Sequence, residues 1–349
     1  MIDWKLARRV AKMVAGTQPS VRLPNDLPAL AAEAEQRVVT YTGMRPDGPL
    51  PPPEAVDRPQ WADINLAGMR AILEPVADKM GPQSGPLRGP IRNAAGGVLA
   101  VEIGGLTGLL AQRVLGQFEL VLLDADSPTR LLFLAPNLLE SARKLDVEAE
   151  SLVTWVGFHE VTHAVQFTAV PWLRPHLAGL LRELLDGMDV DVDWKQLSAI
   201  RDRDSLEALV KTIREEGLVM WLAGPERKDL LDRLQATMAV IEGHAEHVMD
   251  AVGRDALPDL DELRDALDRR RANKTGVWKL FERLLGLEMK LKQYEVGKRF
   301  CDAVVEQRDV AFLHRVWSAP EALPTWAELE APADWITRME RALPPDQAA

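Results

Sequence analysis

Apolar and polar positions along the chain predict mostly helix, punctuated by two Pro- and Gly-rich stretches. Between Met1 and Gly16, Lys5, Arg8, Arg9 and Lys12 stand among apolar residues, which suits an amphipathic first helix better than a leader with an unbroken apolar centre. The segment from Met44 to Pro59 holds Pro49 and Pro51, Pro52 and Pro53, so it cannot form regular helix or central strand and reads as an extended surface connection. A helix from about Trp61 to Met80 follows, and the stretch from Gly81 to Gly97 reads as a loop. Phe118 to Leu123, a turn through Asp124, Asp126, Ser127 and Pro128, and Leu131 to Leu134 predict a strand, a turn and a second strand. Asp146 is placed to cap a long helix running past Phe167, with Glu148 and Glu150 in its first turn, where the helix dipole favours acids. Beyond it the pattern is almost wholly helical, with no internal repeat.

Composition narrows the class. The 349 residues are 47% hydrophobic, enough for a sizeable core, so intrinsic disorder is excluded. The fold expected is mainly helical α+β, with a small sheet and additional N- and C-terminal helices. Its regions would be an N-terminal helical part over 1–97, a core over 98–255 and a C-terminal helical part over 256–349. A formal charge of −11 has the wrong sign for neutralising phosphates, which argues against nucleic acid as a partner. Cys301 is the one cysteine, so any metal must sit on histidines and carboxylates. The most apolar stretch, Val98 to Leu123, is broken by Glu102, Arg113 and Glu119 and cannot cross a bilayer, so a cytoplasmic protein is expected. Oligomeric state leaves no mark in the sequence.

The chemistry is concentrated between Gly157 and Phe167, which contain the pattern HExxH. At about 100° per residue, His159 and His163 lie one turn apart and about 40° apart around the axis, so both imidazoles can reach one metal ion. Glu160 projects beside them, where a zinc hydrolase needs a general base that is not itself a ligand. Glu160 is also the sole charged residue between Glu150 and Arg174, on a helix apolar nearly all round. A buried carboxylate flanked by two imidazoles is costly unless compensated, and a divalent cation, here Zn2+, compensates it directly.

A catalytic zinc site needs a third protein ligand. Five of the six histidines fall between His159 and His247, which points to the helix through Ile241 to Met249. Its apolar stripe runs through Leu231, Leu234, Met238, Ile241, Ala245, Val248 and Val252. From the centre of that stripe Glu242 lies about 70° away, His244 about 90° on the other flank, Glu246 about 110° and His247 about 150°. Glu242 is therefore the best-placed third ligand, ahead of His244, with Glu246, His247 and His176 behind. Glu246, one turn further on, is placed to accept a hydrogen bond from a ligand imidazole. His247 reads as facing solvent.

HExxH followed by Glu242-Gly-His-Ala-Glu246 resembles the gluzincin type of zinc peptidase, in which the glutamate is a ligand and the acid one turn later supports a histidine. More of the chain resembles one particular family, the zinc-dependent metalloprotease-like hydrolases of actinobacterial and Chloroflexus type, whose genes are often associated with deazaflavin coenzyme biosynthesis and whose function is not established. The similarity runs through residues 158–167, Pro171-Trp172-Leu173, residues 242–250, Arg269 to Arg271, the stretch from Leu284 to Phe300, Val316-Trp317 and Leu323-Pro324. The resemblance implies a zincin-like fold and no particular substrate. In that fold a small sheet lies against the first metal-binding helix, and an edge strand can hold an extended peptide; Leu131 to Ala135 is the segment nominated here for that edge.

Tyr294, one of two tyrosines, can supply a phenol to the oxyanion formed when water attacks a carbonyl, although a structural tyrosine between two helices has the larger prior. His314 has the same alternative with weaker support. The resulting reading is a zinc metallohydrolase acting on a peptide or amide, with catalytic Glu160 and Tyr294, metal on His159, His163 and Glu242, and Glu246 behind them. Its rival is a non-catalytic, zinc-stabilised scaffold or interaction protein linked to a biosynthetic pathway.

Overall fold

The structure is a computed structural model, and it describes residues 2–17, 21–79, 88–124, 126–186, 228–272 and 287–342. It is mainly helical, with a sheet of three short strands. By its internal contacts the chain divides into two compact units, and the division passes through the helix that carries HExxH, between Glu160 and Val161.

In the first unit, α1 (Trp4–Ala15), α3 (Arg58–Lys79) and α4 (Arg88–Ala111) pack together and onto the sheet. The first helix buries Ala7, Ala11 and Ala15 at four-residue spacing. Those small side chains face Gly104 and Gly108 of α4, where an added Cβ would fall 2.3 Å from the Ala7 carbonyl oxygen and 2.6 Å from that of Ala11. The helices touch backbone to backbone. The expectation of a loop up to Gly97 is corrected here: α4 begins at Arg88, and Pro90 sits in its first turn, where the missing N–H has no helical partner to lose.

The sheet has the order β1-β3-β2, with β1 (Pro53–Val56) parallel and β2 (Gly116–Glu119) antiparallel to β3 (Arg130–Leu134). The two strands read from the sequence are present, but the first is displaced: it runs from Gly116 to Glu119 and not from Phe118 to Leu123, sharing only Phe118 and Glu119 with the expectation. The Pro-rich connection contributes β1, an edge position that proline tolerates. The nomination of 131–135 as an edge strand is wrong: β3 is central, and Leu131, Leu132, Phe133 and Leu134 are all fully buried. Alternate side chains point to opposite faces, so both faces of this strand are covered.

Helix α5 (Ala135–Leu145) follows β3 directly and ends at Asp146, which adopts a left-handed conformation at φ 55°. Asp146 thus terminates one helix rather than capping the next, and α6 (Ala149–Ala169) begins three residues later. Arg58 is buried at the start of α3 and donates to Asn137 (2.6 Å) and Glu140 (2.6 Å), while the Asn137 amide donates to the carbonyls of Ala111 and Val114. These bonds tie α3, the end of α4 and α5 into one frame behind the sheet.

In the second unit, α7 (Leu173–Asp186) and α8 (Lys228–Ala256) pack together, and α8 lies against α10 (Leu287–Gln307), with α9 (Leu260–Ala272) between them in sequence. At the crossing of α8 and α10, a Cβ on Gly243 would lie 2.1 Å from the backbone carbon of Gly297, and one on Gly297 would lie 1.9 Å from the Ala239 carbonyl oxygen. Only glycine at both positions permits this approach. The C-terminal helices, α11 (Val310–Leu313), α12 (Trp326–Glu330) and α13 (Pro332–Arg341), close over Trp335, which stacks edge-on against Phe300 and donates its indole N–H to Ala322.

Candidate active site

Helix α6 is helical for ordinary reasons and buried for unusual ones. Glu150 occupies its first turn, and apolar residues surround it, so no amphipathic face is left for solvent. His159 is half-buried and His163 is buried one turn later. Glu242 reaches the same place from α8: His163 Nε2 and Glu242 Oε2 are 3.3 Å apart. One ligand atom each from His159, His163 and Glu242 lies within 4.8 Å of the others.

Two imidazole nitrogens and a carboxylate oxygen form a donor set that suits zinc. Around an ion with bonds of about 2.0–2.1 Å, tetrahedral ligands sit roughly 3.3 Å apart. The His163–Glu242 separation already has that value, so the residues present fit the ion.

Glu160 is anchored to the sheet. Its Oε2 accepts a hydrogen bond from the Phe118 N–H at 2.7 Å, so the outer edge of β2 holds the carboxylate from the side. The approach depends on Gly116, where a Cβ would fall 2.6 Å from Val156 Cγ1, 2.8 Å from Glu160 Cγ and 3.0 Å from Glu160 Oε1. Neither Gly116 nor the Phe118 amide can be singled out from sequence.

A buried amide sits behind His163. Gln166 Oε1 is 2.8 Å from His163 Nδ1, and Gln166 Nε2 donates to the Ile241 carbonyl at 2.9 Å and meets His244 Nδ1 at 2.9 Å. Gln166 was detectable in principle, as an uncharged polar residue three positions after His163 on an otherwise apolar helix.

The remaining candidates separate. His244 lies outside the candidate metal-binding group, against His314 and Trp317, and burial holds it well below the usual imidazole range. Burial likewise lowers His314 to about 4. Glu246 is buried one turn beyond Glu242. His247 is buried, correcting the solvent-facing expectation: α8 is enclosed on that flank too, and His247 meets Asp302 at 2.7 Å and the Tyr41 hydroxyl at 2.8 Å. Burial, then the nearby Asp302 charge, raises the Tyr41 phenol above its ordinary range. His176 is on α7, edge-on to Trp172. Tyr294 falls on α10, and its side chain lies outside the described residues. Arg269 is exposed on α9. Among the described residues, no helix is long and apolar enough to cross a membrane.

No curated protein matches the sequence. Among solved structures, the chain is similar to one from Chloroflexus aurantiacus described as "a putative hydrolase with a novel fold", at 30% identity and a TM-score of 0.72, covering 98% of this chain and 99% of that one. Residues 2–336 match the zincin-like metallopeptidases, and with nearly the whole chain so covered, this protein belongs to that family.

Proposed function

We propose that the protein is a zinc-dependent hydrolase of peptide or other amide bonds, with His159, His163 and Glu242 holding the ion. A zinc ion held there would acidify a water molecule and polarise a substrate carbonyl. Glu160 then takes the proton from the attacking water and delivers it to the departing amine. Glu246 would accept from a ligand imidazole, and the Tyr294 hydroxyl would donate to the developing oxyanion.

The observation that carries this reading is the position of Glu160. A zinc site that merely stabilises a fold has no use for a buried acid beside two ligand histidines and held off by a backbone amide. The test is Glu160→Gln, assayed on a mixture of quenched fluorescent peptides cleaved by the wild type, with zinc content measured in parallel. Retained zinc with turnover reduced at least about a hundredfold is the expected result. Equal turnover in the variant would sink the hydrolase reading and favour a zinc-stabilised scaffold.

A further inference from the structure

Gln166 makes three polar contacts, all to groups adjoining the proposed metal centre, and one of those groups removes the ambiguity from the rest. The Ile241 carbonyl can only accept, so the atom 2.9 Å from it must be the amide nitrogen of Gln166. That fixes the orientation of the side-chain amide. Its oxygen, 2.8 Å from His163 Nδ1, can then only accept, so Nδ1 carries the imidazole proton. In the neutral ring, His163 Nε2, the atom 3.3 Å from Glu242, then carries the lone pair. The second amide hydrogen of Gln166 goes to His244 Nδ1 at 2.9 Å. Gln166 has no solvent exposure, so water does not compete for any of these bonds.

We infer that Gln166 is a positioning residue for the metal centre: it sets the His163 tautomer and bolts α6 to α8 at Ile241, the residue preceding Glu242. One side chain thereby controls both the donor atom of one ligand and the backbone carrying another. The inference rests on the metal-site reading proposed above. An unbranched apolar side chain at 166 would leave the Ile241 carbonyl buried without this donor and would free the His163 ring to turn or to move its proton to Nε2, which blocks that nitrogen as a ligand.

The variant-independent test is a long-range 1H–15N correlation spectrum of the metal-free wild-type protein. His163 protonated at Nδ1 is expected; a predominantly Nε2-protonated ring would overturn the inference. The second test is zinc affinity by competition with a chromophoric chelator for Gln166→Met, His163→Ala and Val165→Ala. Gln166→Met should weaken zinc about 10- to 100-fold. Val165→Ala, which trims the neighbouring core position, should stay within about threefold of wild type, separating positioning from a general loss of packing. If His163→Ala leaves affinity unchanged, the metal-site reading itself fails. If His163→Ala abolishes binding while Gln166→Met keeps full affinity, the site stands and the role of Gln166 is refuted.

Discussion

Replacing Gly116 with alanine asks whether the edge of β2 aims the proposed general base. The new methyl group would begin 2.6 Å from Val156 Cγ1, 2.8 Å from Glu160 Cγ and 3.0 Å from Glu160 Oε1. Relaxing those contacts to an ordinary carbon separation of about 3.5–4.0 Å requires strand and helix to part by roughly 1 Å, or Glu160 to turn aside. The Phe118–Glu160 hydrogen bond starts at 2.7 Å, so a 1 Å displacement would carry it beyond useful range. A misplacement of that size costs on the order of a hundredfold in rate, and overpacking the core costs about 1–3 kcal/mol of stability. The expected pattern is a fall of about a hundredfold in kcat on the cleaved peptides, a lowered melting temperature, and zinc affinity within about threefold of wild type. That split is informative because the atoms nearest the added carbon belong to Val156 and to the proposed base, Glu160. A variant that keeps wild-type kcat while its structure shows the Phe118 bond broken would refute the aiming role.

Three further outcomes are expected. Gly243→Ala should destabilise the protein by about 3 kcal/mol or more, read from urea unfolding, because the added carbon meets the backbone of Gly297 at 2.1 Å and backbone cannot rotate away. Burial raises the Glu119 carboxyl pKa above its usual range, so its protonated form suits the fold; that contribution is complete below the unfolded pKa of about 4.5 and disappears as pH rises through the higher folded value. Glu119→Gln should accordingly gain thermal stability over wild type as pH climbs from 4.5 to 7, and parallel melting curves across that range would contradict it. Cys301 is fully buried with its thiol pushed strongly upward by burial, so a thiol reagent should label the folded protein far more slowly than the urea-unfolded chain at both pH 7 and pH 9.

What could be read from the chain and what could not divide along a physical line. HExxH was legible because helical spacing is local: a one-turn separation places His159 and His163 together whatever the rest of the molecule does. Glu242 was legible for the same reason, from its angle to an apolar stripe. That method failed at His247, because it assumes one buried face, and α8 is enclosed on the flank where Tyr41 and Asp302 meet it. It failed again at the sheet. The unbroken apolar run from Leu131 to Leu134 is what a strand covered on both faces requires, yet its central place depends on Pro53–Val56, distant in sequence and masked by prolines. The groups that hold the candidate site are harder still to see. Glu160 is held by the N–H of Phe118, and the amide of Gln166 is oriented by the carbonyl of Ile241. Both are backbone atoms that nearly every residue possesses, so no choice of side chain advertises them. Their positions follow from strand register and helix crossing, which Gly116, Gly243 and Gly297 permit by having no side chain. Transplanting residues 157–167 into an unrelated buried helix would therefore carry over two imidazoles, a carboxylate and an amide, without the two backbone groups that hold Glu160 and Gln166 here.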